Sequence, residues 1–371
     1  MLQMLVVGTV LGLVHVLLYR RFVVATGLGT AARRAAGIVL VLLWIPAFVA
    51  VGAGSVYSPA PIRPIVWFGE VWLAVLFYLG IGLLGAGLVL LVARLAKYRD
   101  RRRLVRVLSV VVLLGSLGTV AYGVTEAERL RVVEAELAFA QLPREFDGLR
   151  VAVVADIHVG AARGSGFTQR VVDLVNAQRP DVIVLPGDLL DGAVRHVSGD
   201  IDPLAGLRSE HGKFVVAGNH EGYVNRPDSW LDYYDELGLT SLRNSRAPLT
   251  VGGATIDIAG VYDFDATDPA PDVAAALAGQ DPGRFTVLLA HQPLQGTAAS
   301  EHGVDLQLSG HTHGGQMWPL MYPVRWINDT VWGHSRIGDM QLYTTRGIGA
   351  WGPPVRVGAP PDITVVTLRA G

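Results

Sequence analysis

The chain reads as a four-layer α/β/β/α sandwich preceded by a bundle of four transmembrane helices. Three observations predict this. The apolar excess lies before residue 125, the second half alternates β-branched runs with segments of helical period, and five of those runs stop at clusters of Asp, His and Asn. The 371 residues are 51% hydrophobic and 17% charged, with mean hydropathy +0.38, too apolar for an ordinary soluble protein. A net charge of −1 gives no global attraction to nucleic acid. The absence of cysteine excludes disulfides, zinc-thiolate sites and cysteine nucleophiles. Any metal is then held by oxygen and imidazole, which suits Mn, Fe or Zn.

Four stretches, 2–19, 36–54, 71–93 and 105–124, approach the roughly twenty apolar residues that cross a bilayer. The first lacks a basic start and a small-residue cleavage site, so it reads as a retained helix rather than a signal peptide. Arg20, Arg21, Arg33 and Arg34 flank the first connection, and Arg94 to Arg106 crowd the third, whereas SVYSPAPIRP (55–64) carries only Arg63. Cytoplasmic loops carry the Lys/Arg excess, so this asymmetry puts both chain ends outside a plasma membrane and the second half in an extracytoplasmic position. Residues 1–124 are expected to form the anchor and 125–371 the catalytic domain. His15 lies in the first span without a charged partner and reads as structural; Glu70 is expected at headgroup level. The glycine-rich FYLGIGLLGAG (77–87) predicts close helix packing.

After the last span, RVVEAELAFAQLP (131–143) alternates with the period of a half-buried strand, leaving little linker. Helices are expected over 166–180, 202–212 and 229–239, between strands that end in ligands. The segments 248–261, 340–348 and 362–370 alternate like strands without helices between them, which favours two sheets over one doubly wound sheet.

The ligand-bearing runs are VAVVADIH (151–158), DVIVLPGDLLD (181–191), KFVVAGNHE (213–221), TVLLAHQP (286–293) and LQLSGHTHGG (306–315). A buried strand that stops at such residues delivers them to the C-terminal rim of a sheet, where ligands bind in open α/β folds. Asp156, His158, Asp188, Asn219, His220, His291, His311 and His313 thereby converge on one edge and point to two divalent ions. Asp188, in a Pro-Gly-Asp turn, is the candidate bridging carboxylate. Asp156 and His158 fall on one side of an extended segment and can grip one ion together. His311 and His313 share that spacing, and Asn219 adds a neutral oxygen. Asp191 either supports these ligands or merely turns the loop. Asp263 and Asp265 read as loop acids, and Arg346 as a phosphate contact or a salt bridge. QMWPLMYPVRWINDTVW (316–332) is either a loop packed over the core or a lid touching the bilayer.

The ordered set DIH, GDLLDG, GNHE, AHQP and GHTHGG, over about residues 145–370, resembles the calcineurin-like metallophosphoesterase family. The four-span start and the GHTHGGQ variant are similar to its membrane-anchored bacterial branch. The resemblance implies one metal on Asp156, His158, Asp188 and His313, and a second on Asp188, Asn219, His291 and His311. It implies a phosphoesterase or phosphodiesterase in which a hydroxide bridging two metal ions attacks phosphorus, with His220 beside the leaving oxygen. GNHE stands where GNHD is commoner, with no change of chemistry expected. Tethering points to phosphoester or pyrophosphate substrates, including lipid-linked ones, with the bilayer as the other partner and no nucleic acid. Competing functions are a non-catalytic binding scaffold of the same fold, which loss of ligands would signal, and a regulatory membrane protein, which paired polar residues in the spans would signal.

Overall fold

The computed structural model describes residues 2–224, 226–328 and 330–371. Four helices come first: α1 (Leu2–Leu18), α2 (Thr30–Val51), α3 (Arg63–Leu95) and α4 (Arg101–Ala127). They are long and apolar enough to cross a membrane, and α1 continues as a π-helical segment, Tyr19–Val24. α3 and α4 extend beyond the hydropathy limits at both ends and α2 at its start, while α2 stops at Val51, short of the expected 54. Gly82 permits the close approach expected of the glycine-rich run: a Cβ there would lie 2.6 Å from Val112 of α4.

His15 is satisfied as a neutral imidazole by a partner of another kind than charge. Trp72 of α3 donates its indole N–H to His15 Nε2 at 3.0 Å, and the carbonyl of Leu11 lies 2.7 Å from Nδ1. The hydrogen bonds fix the Nδ1–H tautomer and tie α1 to α3. Glu70 is buried within the protein, where the second half of the chain covers this end of the bundle.

The chain re-enters regular structure three residues after α4, at β1 (Arg131–Phe139). The further strands are β2 (Arg150–Val153), β3 (Val182–Pro186), β4 (Lys213–Val216), β5 (Thr240–Ser241), β6 (Ser245–Val251), β7 (Ala254–Gly260), β8 (Thr286–Leu289), β9 (Leu306–Ser309), β10 (Gly333–Ile337), β11 (Met340–Thr344) and β12 (Asp362–Ala370). They form two six-stranded sheets, ordered β1-β12-β2-β3-β4-β5 and β10-β11-β9-β8-β7-β6. The two sheets and their flanking helices make the four-layer sandwich. Residues alternate as a strand period of two requires: Val151 and Val153 enter the core between the sheets with Val287 and Leu308. Ala152 turns outward with Ile183 and Leu185 onto Val171 and Trp230 of the outer helices.

The helices Ser165–Ala177 and Pro227–Glu236 occur as expected. The third does not: only a 3-10 turn, Asp202–Gly206, forms, since Leu207 turns extended to bury itself in the core. The strand expected over 340–348 stops at Thr344, and the remainder bends toward the ligand cluster.

Bundle and sandwich share one apolar core. Met317 and Val355 belong to the same buried cluster as Trp72, Val75, Tyr78 and Val120. Polar contacts fix the join: Arg63 pairs with Asp200 at 2.7 Å, Ala193 N–H donates to the Gly54 carbonyl at 3.1 Å, and Arg356 N–H donates to the Gly123 carbonyl at 2.9 Å. The bundle therefore does more than tether.

The Trp72–His15 bond yields a prediction. Trp72→Phe leaves a buried acceptor without its donor and lowers unfolding free energy by about 1 kcal/mol. The expected readout is an earlier transition in a denaturing-detergent titration, with His15→Leu in the same background costing less than it does alone.

Candidate metal centre

The motifs belong to adjacent parallel strands, β2, β3 and β4 in one sheet and β8 and β9 in the other. All five end at the same edge of the sandwich. Beyond the strands the loops keep pairing: Asp156 N–H donates to the Gly187 carbonyl at 3.1 Å, His158 N–H to the Asp188 carbonyl at 3.2 Å, and Gly310 N–H to the His291 carbonyl at 3.0 Å. Five candidate ligands sit in the left-handed region, Asp156 (φ 56°), His158 (46°), Asp188 (54°), His311 (72°) and His313 (51°). Each such residue costs roughly 1–2 kcal/mol, less for Asp, whose side chain can bond locally. Gly187 takes φ 89°, and a Cβ there would lie 2.9 Å from His291 Nδ1, so the turn before Asp188 has room only for glycine.

All eight residues singled out by sequence converge. Asp188 is central: its Oδ2 lies 3.1 Å from His291 Nε2, 3.6 Å from His158 Nε2 and 4.0 Å from His220 Nε2. On one side, His158 and His313 direct Nε2 atoms at each other across 3.0 Å, and Asp156 Oδ1 is 3.6 Å from His313 Nε2. On the other, Asn219 Oδ1 lies 3.1 Å from both His291 Nε2 and His311 Nδ1. Donation from Asn219 Nδ2 to the Tyr223 hydroxyl at 2.7 Å turns the amide oxygen toward the histidines.

Several supporting contacts orient the rings. His291 Nδ1 faces the Pro186 carbonyl at 2.7 Å, and His158 Nδ1 faces Asp191 Oδ1 at 2.8 Å, so each ring turns Nε2 inward. Asp191 is thus a supporting carboxylate rather than a simple turn residue. The same oxygen takes His220 Nδ1 at 2.6 Å. Burial alone would push Asp191 up, but His158 and His220 outweigh it and hold the carboxyl well below the usual range.

Two residues that sequence reasoning missed hold the frame. Glu221, fully buried, accepts N–H bonds from Asp188 (3.0 Å), Leu189 (2.9 Å) and Gly218 (2.8 Å), and the Tyr234 hydroxyl at 2.8 Å. In return Asp188 Oδ1 accepts the His220 N–H at 2.9 Å, so two motif loops clamp each other. The acidic end of GNHE was visible in sequence; its bonds to Asp188 and Leu189, more than thirty residues away, were not. Arg356, also fully buried, donates to the carbonyls of His313 (2.7 Å), Arg346 (2.9 Å), Gly347 (3.0 Å) and Gly349 (2.7 Å). It joins the histidine loop to the loop beside Asp156. Arg346 itself pairs with Asp362 at 2.6 Å, the salt-bridge alternative. Asp263, expected as a loop acid, is buried and accepts from Gln292 at 3.1 Å.

Burial pushes the Asp156 carboxyl up to about 6, reinforced by Asp188 and opposed by His291 and His158. Asp188 goes the other way: despite burial, His291 and His220 hold it well below the ordinary value. Burial is also the main force on His313, lowered well below its usual value, and on His311, lowered to about 4. Neutral imidazoles and buried carboxylates are the donor set of a cation site. Two clusters each keep their donor atoms within 4.8 Å of one another, Asp156–His158–His313 and Asp188–His291–His311. The residues present fit two divalent cations.

The family model for the calcineurin-like phosphoesterase domain matches residues 149–315. An uncharacterized metallophosphoesterase of Helicobacter pylori is 36% identical over 245 residues, 65% of this chain and 64% of its own. A transmembrane protein with metallophosphoesterase domain from Danio rerio is 32% identical over 273 residues, covering 70% of this chain and 62% of that one. An uncharacterized metallophosphoesterase of Aquifex aeolicus is 31% identical over 266 residues, 70% of this chain and 98% of that one. The chain thus spans under two thirds of the first two relatives.

The raised Asp156 value predicts how cation affinity varies with pH. A carboxyl raised to about 6 leaves the metal-free fold most stable with its proton on, below the ordinary value of 3.8, and that stability is lost as pH rises through 6. A cation requires the deprotonated form, and His291, which burial would lower but Asp188 holds well above its usual value, must shed a proton too. Affinity for Mn²⁺ therefore falls at least about tenfold per unit as pH drops below 6. Calorimetric titration between pH 5 and 7 measures this; constant affinity over that range contradicts it.

Proposed function

This chain belongs to the calcineurin-like metallophosphoesterase family, and we propose that it is a two-metal hydrolase of phosphoester or pyrophosphate bonds acting at the outer face of the plasma membrane. The observation that carries the reading is one anionic carboxylate, Asp188, lying between two clusters of imidazole and carboxylate donors. In this assignment Asp156, His158 and His313 hold one cation, Asn219, His291 and His311 hold the other, and Asp188 is shared. Two such cations supply Lewis acidity toward phosphoryl oxygens and an acidified water as nucleophile.

The chain's own groups set up the rest. Overall, a water oxygen forms a bond to phosphorus, the P–O ester bond breaks, the leaving oxygen takes a proton, and the attacking water gives one up to solvent. His220 is the proton donor in this reading. Asp191 holds its Nδ1, leaving Nε2 toward the cavity above Asp188. Before any cation binds, burial opposes its charge but Asp188 and Asp191 raise it to about 9; with Asp188 engaged by cations, the Asp191 contact would be what keeps a proton on the ring. It recovers that proton from solvent through the open side of the site.

Orientation is supported by the arginines. The connections rich in Arg leave the bundle at the end opposite the loop that joins α2 to α3, and this loop meets the catalytic half through Gly54 and Arg63. By the positive-inside bias the catalytic half lies outside.

Purified full-length protein loaded with Mn²⁺ or Zn²⁺ is expected to cleave aryl phosphate monoesters or diesters, with chelation abolishing turnover. Asp188→Asn should remove activity, and His220→Gln should lower kcat by about 10²–10⁴-fold while metal content persists. Full activity in Asp188→Asn would refute the shared-carboxylate assignment. On intact cells, protease should digest the C-terminal half from outside; protection there would reverse the topology.

A further inference from the structure

We propose that the substrate is a membrane-resident amphiphile, a phosphate or pyrophosphate ester on a long hydrocarbon chain, which enters the site sideways from the bilayer. The proposal rests on the phosphoesterase reading above and adds what the ester carries and how it arrives.

A cavity of about 510 Å³ starts at Asp188, His220 and His311. It runs to an aliphatic end formed by Leu73 of α3 and by Leu320, Val324 and Ile327 of a short helical segment. This volume suits a ligand site. A membrane helix thus supplies part of the wall. The helix Met321–Ile327 belongs to the segment that sequence left open between core packing and a lid. It does not pack over the core as a whole. Leu320 leans on the bundle cluster that includes Trp72 and Val75, whereas Trp326 is 84% exposed and Ile327 69% exposed on the outer surface. Tyr322, Trp318 and Trp332 are exposed too, and α3 exposes Trp67 and Phe68 where it meets the catalytic half. Exposed aromatic side chains beside a membrane span mark interface depth, and such an apolar surface needs a partner. Met321–Ile327 thus carries exposed apolar side chains on one side and cavity-lining ones on the other, and this is the route the proposal gives the hydrocarbon chain.

The energetics favour a lipid over a soluble ester. Moving a hydrocarbon chain from bilayer to groove exchanges one apolar surrounding for another, so little transfer energy is gained. The advantage comes from concentration in the membrane plane and from a phosphate already held at the depth of the metal centre. A short-chain ester has neither. Glu70, which lines the main cavity too, borders with Asp191 and His220 a second one of about 210 Å³, and a third of about 430 Å³ on the other side of Asn219 and Tyr223 is lined by Arg226, Asp263, Asp265 and Asp268; charged walls disfavour a hydrocarbon chain in either.

The test uses full-length protein in phosphatidylcholine vesicles, with p-nitrophenyl phosphodiesters carrying a methyl or a hexadecyl chain, and butyl and hexadecyl phosphate as monoesters. Metal-dependent cleavage of the methyl or butyl compound tests the hydrolase reading by itself. The groove predicts that kcat/KM for the hexadecyl compound exceeds its short-chain counterpart by about tenfold or more. Val324→Trp and Leu73→Trp, which fill the aliphatic end, should bring that ratio close to one. A ratio near one in the wild type overturns the proposal. So does a high ratio that both variants retain, since the long-chain ester would then reach the site without the groove. An activity-independent arm photolabels Asp188→Asn protein with hexadecyl phosphate bearing a mid-chain diazirine. Label on peptides containing Leu73 and Val324, lost in Val324→Trp while labelling of α1 persists, supports the groove; label there that survives the substitution, or none there, overturns it.

Discussion

Two carboxylates and four imidazoles buried at one point set the terms for the rest of the fold. Buried charge is costly unless compensated, and here Asp156 and Asp188 respond in opposite directions, one raised to about 6 and the other held well below the ordinary value. The same point carries five left-handed non-glycine residues, two of them Asp, together on the order of 5 kcal/mol of backbone strain. That is of the order of a whole domain's stability. Such strain persists only where surroundings over-determine the geometry. The surroundings are identifiable: Glu221 on three amides, Arg356 on four carbonyls of two loops, and ladder bonds that outrun the strands. Two cations would convert the electrostatic cost into binding energy.

The second structural theme is the join between bundle and sandwich. Met317 and Val355 share an apolar cluster with Trp72 and Val75, and Arg63 of α3 reaches Asp200. The strand β1 starts within three residues of α4 and pairs with the C-terminal strand β12. The ligand-bearing edge is consequently held against the first turns of α3, and Glu70 becomes part of the wall around His220. A flexible linker would have left that edge free to face solvent.

Sequence made the ligand-bearing strands legible because each combines a β-branched run with an abrupt polar stop, and the stops are read without knowing the sheet order. It also showed the four apolar helices, since their composition is unlike the rest of the chain. Residues that act through distant backbone were not legible. Glu221 looks like a variant letter of a motif until Asp188 and Leu189 are seen to donate to it. Arg356, within GPPVRVGAPP, has no periodic or motif signal; its role exists only because carbonyls from His313 to Gly349 converge there. The helix expected over 202–212 failed because burial of Leu207 outweighed helical spacing. Trp72 as the partner of His15 was hidden by a search for charge rather than for an indole donor.

The central claim is that Asp188 holds two cations jointly. Electron paramagnetic resonance of the Mn²⁺-loaded full-length protein addresses it most directly, alongside metal stoichiometry. Two manganese ions per chain with an exchange-coupled spectrum are expected, and Asp188→Asn should lose the coupling. A single isolated-ion signal at one manganese per chain, or coupling that survives in Asp188→Asn, would contradict the account.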